Sequence, residues 1–460
     1  MRRSVVTVIL GITVVLVGAV ALWLLPVLTG WQPFWTTSVR PVPVMPPSIP
    51  DGESPQSSEL FPLVSTAKLT SAEVKTAWEP LAGAAQEGNW TAWSTIADAD
   101  TGEVIFSSDT EAHTPASLLK LLTAYATLTV LEPEDRLTTG VSQLGDQLYL
   151  WGEGDLLLSA GRGNSKATNG HAGLADLAEE VAQNLNDPDA TFTLNYQSEL
   201  FAGETRSFEA YQQGRARWVG EIGPFAIDTG RVEPDEYDFY DESPLRVADA
   251  LAALLVDEGI EVTKVVASGA TVPEQATVVG EVQSAMVWEQ VRLMLEVSDN
   301  TLAEQYCHLA ATVREGSPAS FETSTQNLMG VLQENGIDTQ GLVIADCSGL
   351  NEDSRVSANT LLEVMRASLQ PGAKASSLTR FLAIGGMSGT LEERFEDGLG
   401  FGNFVGKTGS LGHVSTLAGI GTTDSGQHIY VVVGADNVPE EGAWYVRSFV
   451  DDFVVRVLEN

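Results

Sequence analysis

The chain has 460 residues, with 25 Lys and Arg against 62 Asp and Glu, yet at 43% hydrophobic and 19% charged residues it is ordinary globular material. That size and composition exclude disorder throughout and leave room for roughly two to three domains; a formal charge of -37 excludes a direct grip on nucleic acid, whose phosphates need a Lys/Arg surface. Two cysteines, Cys307 and Cys347, are too few for a disulfide scaffold and lack the paired spacing of a zinc site, so neither metal nor cofactor is expected.

After Met1-Arg2-Arg3 come 25 residues without a charge, Ser4 to Leu28. At about 1.5 Å per residue such a helix reaches roughly 37 Å, enough to cross a hydrocarbon core of about 30 Å. The two arginines keep its N-terminus on the cytoplasmic side. An uncleaved anchor is expected; a cleaved signal peptide is the alternative, because Ala19-Val20-Ala21 offers a small-x-small site. Both place the rest of the chain outside the cytoplasm. Six prolines between Pro41 and Pro55, among Ser, Gly, Asp and Glu, predict a stiff polar spacer that does not pack.

The body opens with Thr70-Ser71-Ala72-Glu73, a capping box ahead of a helix to about Ala85. Trp90 to Ala97 alternates as a strand and returns through Val104-Ile105-Phe106 as a hairpin. Pro115 can then open a helix whose apolar residues continue to Leu131, a buried central helix. Residues from roughly 139 to 275 have another texture, short strand candidates with Gly and acidic loops, and read as an insertion. The last 60 residues hold three strand-like runs and an amphipathic helix whose Trp444, Phe449, Phe453, Val457 and Leu458 are expected to face the sheet. A helix-flanked antiparallel sheet of the α/β (α+β) class follows. Cys307 and Cys347, both exported, are expected to form one disulfide; two buried free thiols are the alternative.

Three short motifs carry chemistry. Ser117-Leu118-Leu119-Lys120 puts a hydroxyl and an amine one helical turn apart, so that the amine can take the hydroxyl's proton. A second S-x-x-K, Ser65 to Lys68, has no apolar run to bury its lysine, and only a desolvated lysine loses its proton near neutral pH. Ser298-Asp299-Asn300, between two helical stretches, offers a hydroxyl as proton relay and a carboxamide for a substrate amide; alone it reads equally as a helix cap. Ser357-Ala358-Asn359 needs no reading beyond a cap. Lys407-Thr408-Gly409-Ser410 lies on a strand and offers a cation and hydroxyls to a substrate carboxylate, with Gly409 letting substrate backbone approach.

S-x-x-K, S-D-N and K-T-G in this order are the set of serine β-lactamases and penicillin-binding proteins. With Leu148 to Asp155, Asp346 to Leu350 and Gly389 to Phe395, residues 95 to 460 resemble the D-alanyl-D-alanine carboxypeptidase/endopeptidase class of low-molecular-mass penicillin-binding proteins, which carries a large insertion between its first two motifs. Gly154-Asp155-Leu156 stands where that class usually has Gly-Asp-Pro, and the insertion is shorter than in three-domain members. The implied layout is 1–30 signal anchor or signal peptide, 31–60 Pro-rich linker, 61–138 first part of the catalytic domain, 139–275 an inserted, mostly β domain, and 276–460 the second part.

The resemblance implies a transpeptidase-like fold and a serine peptidase acting on peptidoglycan stem peptides ending in D-Ala-D-Ala, with β-lactams as covalent inhibitors. Ser117 would be the nucleophile, Lys120 its base, Ser298 the relay to the leaving group and Asn300 the holder of the peptide amide. Lys407, Thr408 and Ser410 would bind the terminal carboxylate, and the backbone N–H groups of Ser117 and Ser410 would form the oxyanion hole. No histidine is required; His413 is expected at the rim. Asp346 and Ser348 either support the site from behind or form a plain turn. A β-lactamase or esterase of the same fold, and a catalytically silent wall-binding module, are the competing functions.

Overall fold

The computed structural model describes residues 68–207, 212–233, 238–269, 272–370, 372–439 and 442–460. The apolar N-terminal run, the proline-rich spacer and Ser65 lie outside the described residues. Among the described residues no helix is long and apolar enough to cross a membrane.

Helix α1 (Ser71–Gly88) opens with the expected capping box between Thr70 and Glu73. Strands β1 (Thr91–Asp98) and β2 (Val104–Ser107) form the hairpin, and β3 (Ala112–His113) leads to a short 3-10 turn, Ala116–Leu118, and helix α2 (Leu119–Val130). Every residue of α2 from Leu119 to Leu128 is buried. The apolar run there is continuous, not striped, which is how a helix enclosed on all sides is written.

Next come β4 (Arg136–Leu144), β5 (Gln147–Gly152), β6 (Asp155–Leu158), α3 (Leu174–Asn184), β7 (Thr191–Tyr196), β8 (Phe225–Ile227), α4 (Ser243–Asp257), β9 (Glu261–Ala267) and β10 (Thr277–Met286). Five of these strands make one sheet in the order β10-β4-β5-β7-β9, antiparallel at the β10 side and parallel across β5, β7 and β9. It shares a core with α3 and α4, among them Leu177, Val181, Phe192, Val247 and Leu251. The insertion, expected as mostly β from its short strand candidates, is mixed: the two helices cover the apolar face of the sheet.

The chain then gives α5 (Val287–Glu296), α6 (Asn300–Glu315), α7 (Phe321–Glu334), β11 (Val356–Ser357), α8 (Ala358–Ser368), β12 (Ala383–Ile384), β13 (Val405–Leu411), β14 (Val414–Thr422), β15 (His428–Asp436) and α9 (Ala443–Leu458). The main sheet is antiparallel, in the order β12-β13-β14-β15-β1-β2. One of its faces shares a core with α2 and α5 to α8, with α8 lying directly on β1 and β15; the other packs on α1 and α9. With both faces covered, β15 is buried at eight of its nine positions, hence the unbroken Ile-Tyr-Val-Val-Val run.

Helix α9 meets the sheet through Val446, Val450, Phe453, Val457 and Leu458. Trp444 does not join that face: it is 76% exposed and lies under the Arg447 guanidinium. It stands in the first turn, before the repeat 446, 450, 453, 457 begins.

Candidate active site

Ser117 stands in the 3-10 turn that feeds α2. The turn is forced by its surroundings: Ala116 has φ 49, a left-handed value uncommon for a residue with a Cβ. Lys120, one turn on and fully buried, brings its Nζ to 3.0 Å from Ser117 Oγ, 2.6 Å from Asn300 Oδ1 and 2.6 Å from the Ser348 carbonyl. Two of these partners are carbonyl oxygens, which only accept. The ammonium donates to all three; the neutral amine has two N–H groups for the carbonyls, and its lone pair then falls to the Ser117 hydroxyl. Burial lowers the Lys120 pKa to about 8, against the pull of Asp346, Asp299 and Glu304.

The second motif closes the site from the α5–α6 junction. Ser298 has φ 62, and Asp299 caps α6 by accepting from Leu302 N at 2.9 Å. The cap reading of the motif therefore holds at Asp299, which leaves Ser298 and Asn300 on either side of it. Asn300 donates from Nδ2 to the Trp218 carbonyl at 2.8 Å, which fixes its Oδ1 toward Lys120.

The third motif lies on β13, where β12 pairs only with Val405 and Gly406, so that the strand from Lys407 onward is an edge among the described residues. Lys407, also fully buried, donates to Ser298 Oγ and to the Thr408 carbonyl, each at 2.8 Å. Burial first, then Lys120 and Arg394, hold its pKa well below the usual lysine range. Thr408 Oγ1 donates to Thr390 Oγ1 at 2.9 Å, while Ser410 is exposed on the strand's outer run. Gly409 serves the chain itself. A Cβ there would strike Thr416 Oγ1, Pro115 O and Ala116 Cβ, so its bareness makes room for the chain's own nucleophile turn.

Of the eight residues singled out in the sequence, Lys120 joins Ser117 to Asn300, Lys407 joins Ser298 to Thr408, Gly409 lies against the Pro115–Ala116 turn, and Ser410 follows on the same strand. The Asp346 to Asn351 turn stands behind Lys120. Asp346 accepts from Ser348 Oγ, Gly349 N and Asn351 N, each at 2.9 Å, and so aims the Ser348 carbonyl at Lys120; the segment is both a turn and a support. The disulfide Cys307–Cys347 ties this turn to α6. The other S-x-x-K lysine, Lys68, has a 69% exposed side chain facing Asp98, and Ser357 caps α8 through Thr360 N at 3.1 Å. His413 stands apart from the serine at the rim, 3.2 Å from Glu352.

Three contributors were not anticipated. Glu304, buried on α6, accepts from Cys347 N at 3.1 Å, and burial together with Asp346 pushes its pKa up. Its signal was spacing: Asn300, Glu304 and Cys307 fall at i, i+4 and i+7, one helix face. Thr390 sits in the Gly389 to Phe395 segment without a chemical mark of its own. The third is the stretch 213 to 231. Besides Trp218, it sends Gly220 N to Thr301 Oγ1 at 2.8 Å, Gly223 N to Gln305 Oε1 at 3.0 Å and Arg231 to Asp299 at 2.8 Å. Backbone donors and carbonyls leave no trace in a motif.

The family model for the D-Ala-D-Ala carboxypeptidase 3 (S13) family matches residues 80–207 and 240–454. The chain is 34% identical over 368 residues to the carboxypeptidase DacB of Mycolicibacterium smegmatis, covering 75% of this chain and 76% of that one. It is 30% identical over 164 residues to the D-alanyl-D-alanine carboxypeptidase DacB of Haemophilus influenzae, covering 35% and 34%. The crystal structure of penicillin binding protein 4 (dacB) from Haemophilus influenzae superposes with a TM-score of 0.67 at 18% identity, over 83% of this chain and 99% of that one; the fold is therefore that of penicillin binding protein 4. The match across both halves of the catalytic set settles the assignment: the chain belongs to the D-Ala-D-Ala carboxypeptidase 3 (S13) family of serine peptidases.

Proposed function

We propose that the cleft performs D-alanyl-D-alanine carboxypeptidase chemistry on peptidoglycan stem peptides, with Ser117 as nucleophile and Lys120 as its base. The observation that carries this is the Lys120 contact set, 3.0 Å to the hydroxyl and 2.6 Å to two carbonyls, which occupies every N–H of a neutral amine and leaves its lone pair on the serine. Ser117 Oγ attacks the carbonyl of the penultimate D-alanine as its proton passes to Lys120. The backbone N–H groups of Ser117 and Ser410 hold the oxyanion, an interaction worth about 3 to 4 kcal/mol per donor in other acyl-transfer enzymes. The C–N bond breaks as the leaving amine takes through Ser298, the neighbour of Lys407 at 2.8 Å, the proton that Lys120 had accepted. Water then attacks the acyl-serine; its O–H oxygen becomes part of the new carboxyl group, its proton passes by way of Lys120 to Ser117 Oγ, and the shortened peptide leaves.

The open edge of β13 suits an extended peptide added as a further strand, with Asn300 holding its amide. A terminal carboxylate beside Lys407, Thr408 and Ser410 supplies the counter-charge that burial denies Lys407. The protonated Lys407 then repels a proton from Lys120, so substrate arrival favours the neutral base. β-Lactams, which present a strained amide and a carboxylate in the same relation, acylate the same serine.

We place this chemistry outside the cytoplasm, the body anchored through the apolar N-terminal helix or secreted after its cleavage, and read the five-stranded sheet with α3 and α4 as the inserted domain. Endopeptidase cutting of cross-links is a further reading of the same cleft. The test is incubation of the enzyme with purified muropeptides and mass analysis of the products. Loss of one terminal alanine is the carboxypeptidase result, and cut cross-links add the endopeptidase activity. Unchanged muropeptides would overturn the function.

A further inference from the structure

Arg231 lies outside all three motifs, more than sixty positions before Ser298, yet its Nη2 is 2.8 Å from Asp299 Oδ2. The pair is enclosed, with side chains 15% and 5% exposed. The guanidinium also lies over the Phe239 ring, 5.1 Å from its centroid. The approach to Arg231 is three left-handed residues in succession, Asp228, Thr229 and Gly230, with φ of 46, 55 and 81. Backbone of this kind persists only where its surroundings over-determine it. Here Tyr240 N bonds the Gly230 carbonyl at 2.8 Å and Arg231 N the Asp228 carbonyl at 3.0 Å.

What Arg231 holds is the middle of the second motif. One oxygen of Asp299 caps α6 through Leu302 N and the other takes the guanidinium. On one side of Asp299, Ser298 meets Lys407; on the other, Asn300 meets Lys120. Asp299 also pulls toward a charged Lys120, together with Asp346 from the turn behind and Glu304 from α6. From the opposite side Lys120 faces Lys407 on β13, itself opposed by Arg394, and Arg215 stands near Asp346. Among the described residues Asp299 is the one of these acids with an arginine bonded to it directly.

We infer that Arg231 is a positioning residue for acylation supplied by the region between the first two motifs: it holds Asp299 so that Ser298 and Asn300 face their lysines, and it screens the Asp299 charge from Lys120. This rests on Lys120 being the base. The fork of a guanidinium suits both tasks, since it fixes a carboxylate in direction as well as charge.

The test is the pH profile of penicillin acylation in the full-length protein between pH 6 and 10. In Arg231→Gln the plateau rate is expected to fall on the order of tenfold, as the relay and the carboxamide lose their alignment. The acid limb is expected to move to higher pH by up to about one unit, because an unpaired Asp299 favours protonated Lys120. Adding Asp299→Asn removes that charge, so the limb should return to the wild-type position or below while the plateau stays low. A lowered plateau with an unmoved limb in Arg231→Gln would overturn the screening role, and an unchanged plateau the positioning role. Should Arg231→Gln not fold, Arg231→Lys keeps the charge without the fork: a lower plateau with an unmoved limb supports the inference, and a wild-type plateau refutes it. A wild-type enzyme with no acid limb at all would instead remove the base assignment of Lys120.

Discussion

The protonation state of Lys120 makes the acylation rate a direct report on the cleft. Burial brings its pKa to about 8. The group is a base whose pKa is lowered in the fold, so its active neutral form gains as pH rises and is lost as pH falls. About a tenth of molecules hold the neutral amine at pH 7, about a hundredth at pH 6 and about nine tenths at pH 9. The second-order rate of acylation by a fluorescent penicillin should therefore rise about tenfold from pH 6 to 7, about tenfold again from pH 7 to 9, and then level off. Stopped-flow fluorescence with controls for penicillin hydrolysis measures it. Lys120→Arg cannot release a proton in this range, and its rate should fall at least about a hundredfold and lose the limb. A wild-type rate flat from pH 6 to 9, or an arginine variant acylated at the wild-type rate, would refute the role of Lys120 as base.

Gly349, with φ 78, would place a Cβ onto the carbonyl of Ala116, so Gly349→Ala should lower stability by about 1 to 3 kcal/mol and slow acylation at least about tenfold. Gly145→Ala, at φ 62 with open space around it, should cost about 1 kcal/mol and leave acylation unchanged, as thermal unfolding and penicillin kinetics on both would show. Replacing Cys307 and Cys347 by Ser opens a bridge across 40 residues, for which chain entropy gives about 4 kcal/mol; the denaturant midpoint should fall, and reduction of the wild type should match it. His113 sits between Asp436 and Asp109, each at 3.0 Å. Burial opposes its charge, but those bonds prevail and raise its pKa. Its stabilisation, on the order of 2 kcal/mol, is present below about pH 6.5 and lost as pH rises through the raised value. His113→Phe should accordingly be most destabilising, relative to wild type, at pH 6 and less so at pH 9, in chemical denaturation at both.

The side chains proposed to do the chemistry announce themselves in the sequence; the frame that aims them does so unevenly. Ser117, Lys120, Ser298, Asn300 and Lys407 to Ser410, the residues proposed to do the chemistry, stand out in the sequence because a nucleophile, a base and a cation need fixed residue types at fixed local spacing. The central helix and the strands β14 and β15 were legible because their apolar runs are continuous. What escaped acts at long range or through the main chain. Ser348 aims its carbonyl at Lys120 and Trp218 its carbonyl at Asn300, and any residue type carries a carbonyl. The motif also does not show that Pro115 and Ala116 crowd Gly409. Trp444 was assigned to the buried face of α9 by periodicity alone, although that face begins two residues later at Val446.

The identity of the acylated residue tests the central claim most directly. A fluorescent penicillin is incubated with the protein, and the labelled peptide is mapped by mass spectrometry. The label is expected on the peptide containing Pro115 to Lys120, on Ser117, and Ser117→Ala should abolish it with thermal unfolding nearly unchanged, since a half-buried hydroxyl at a reactive site contributes little packing. Label on Ser65 or any other serine, or a Ser117→Ala protein that still traps penicillin, would contradict it.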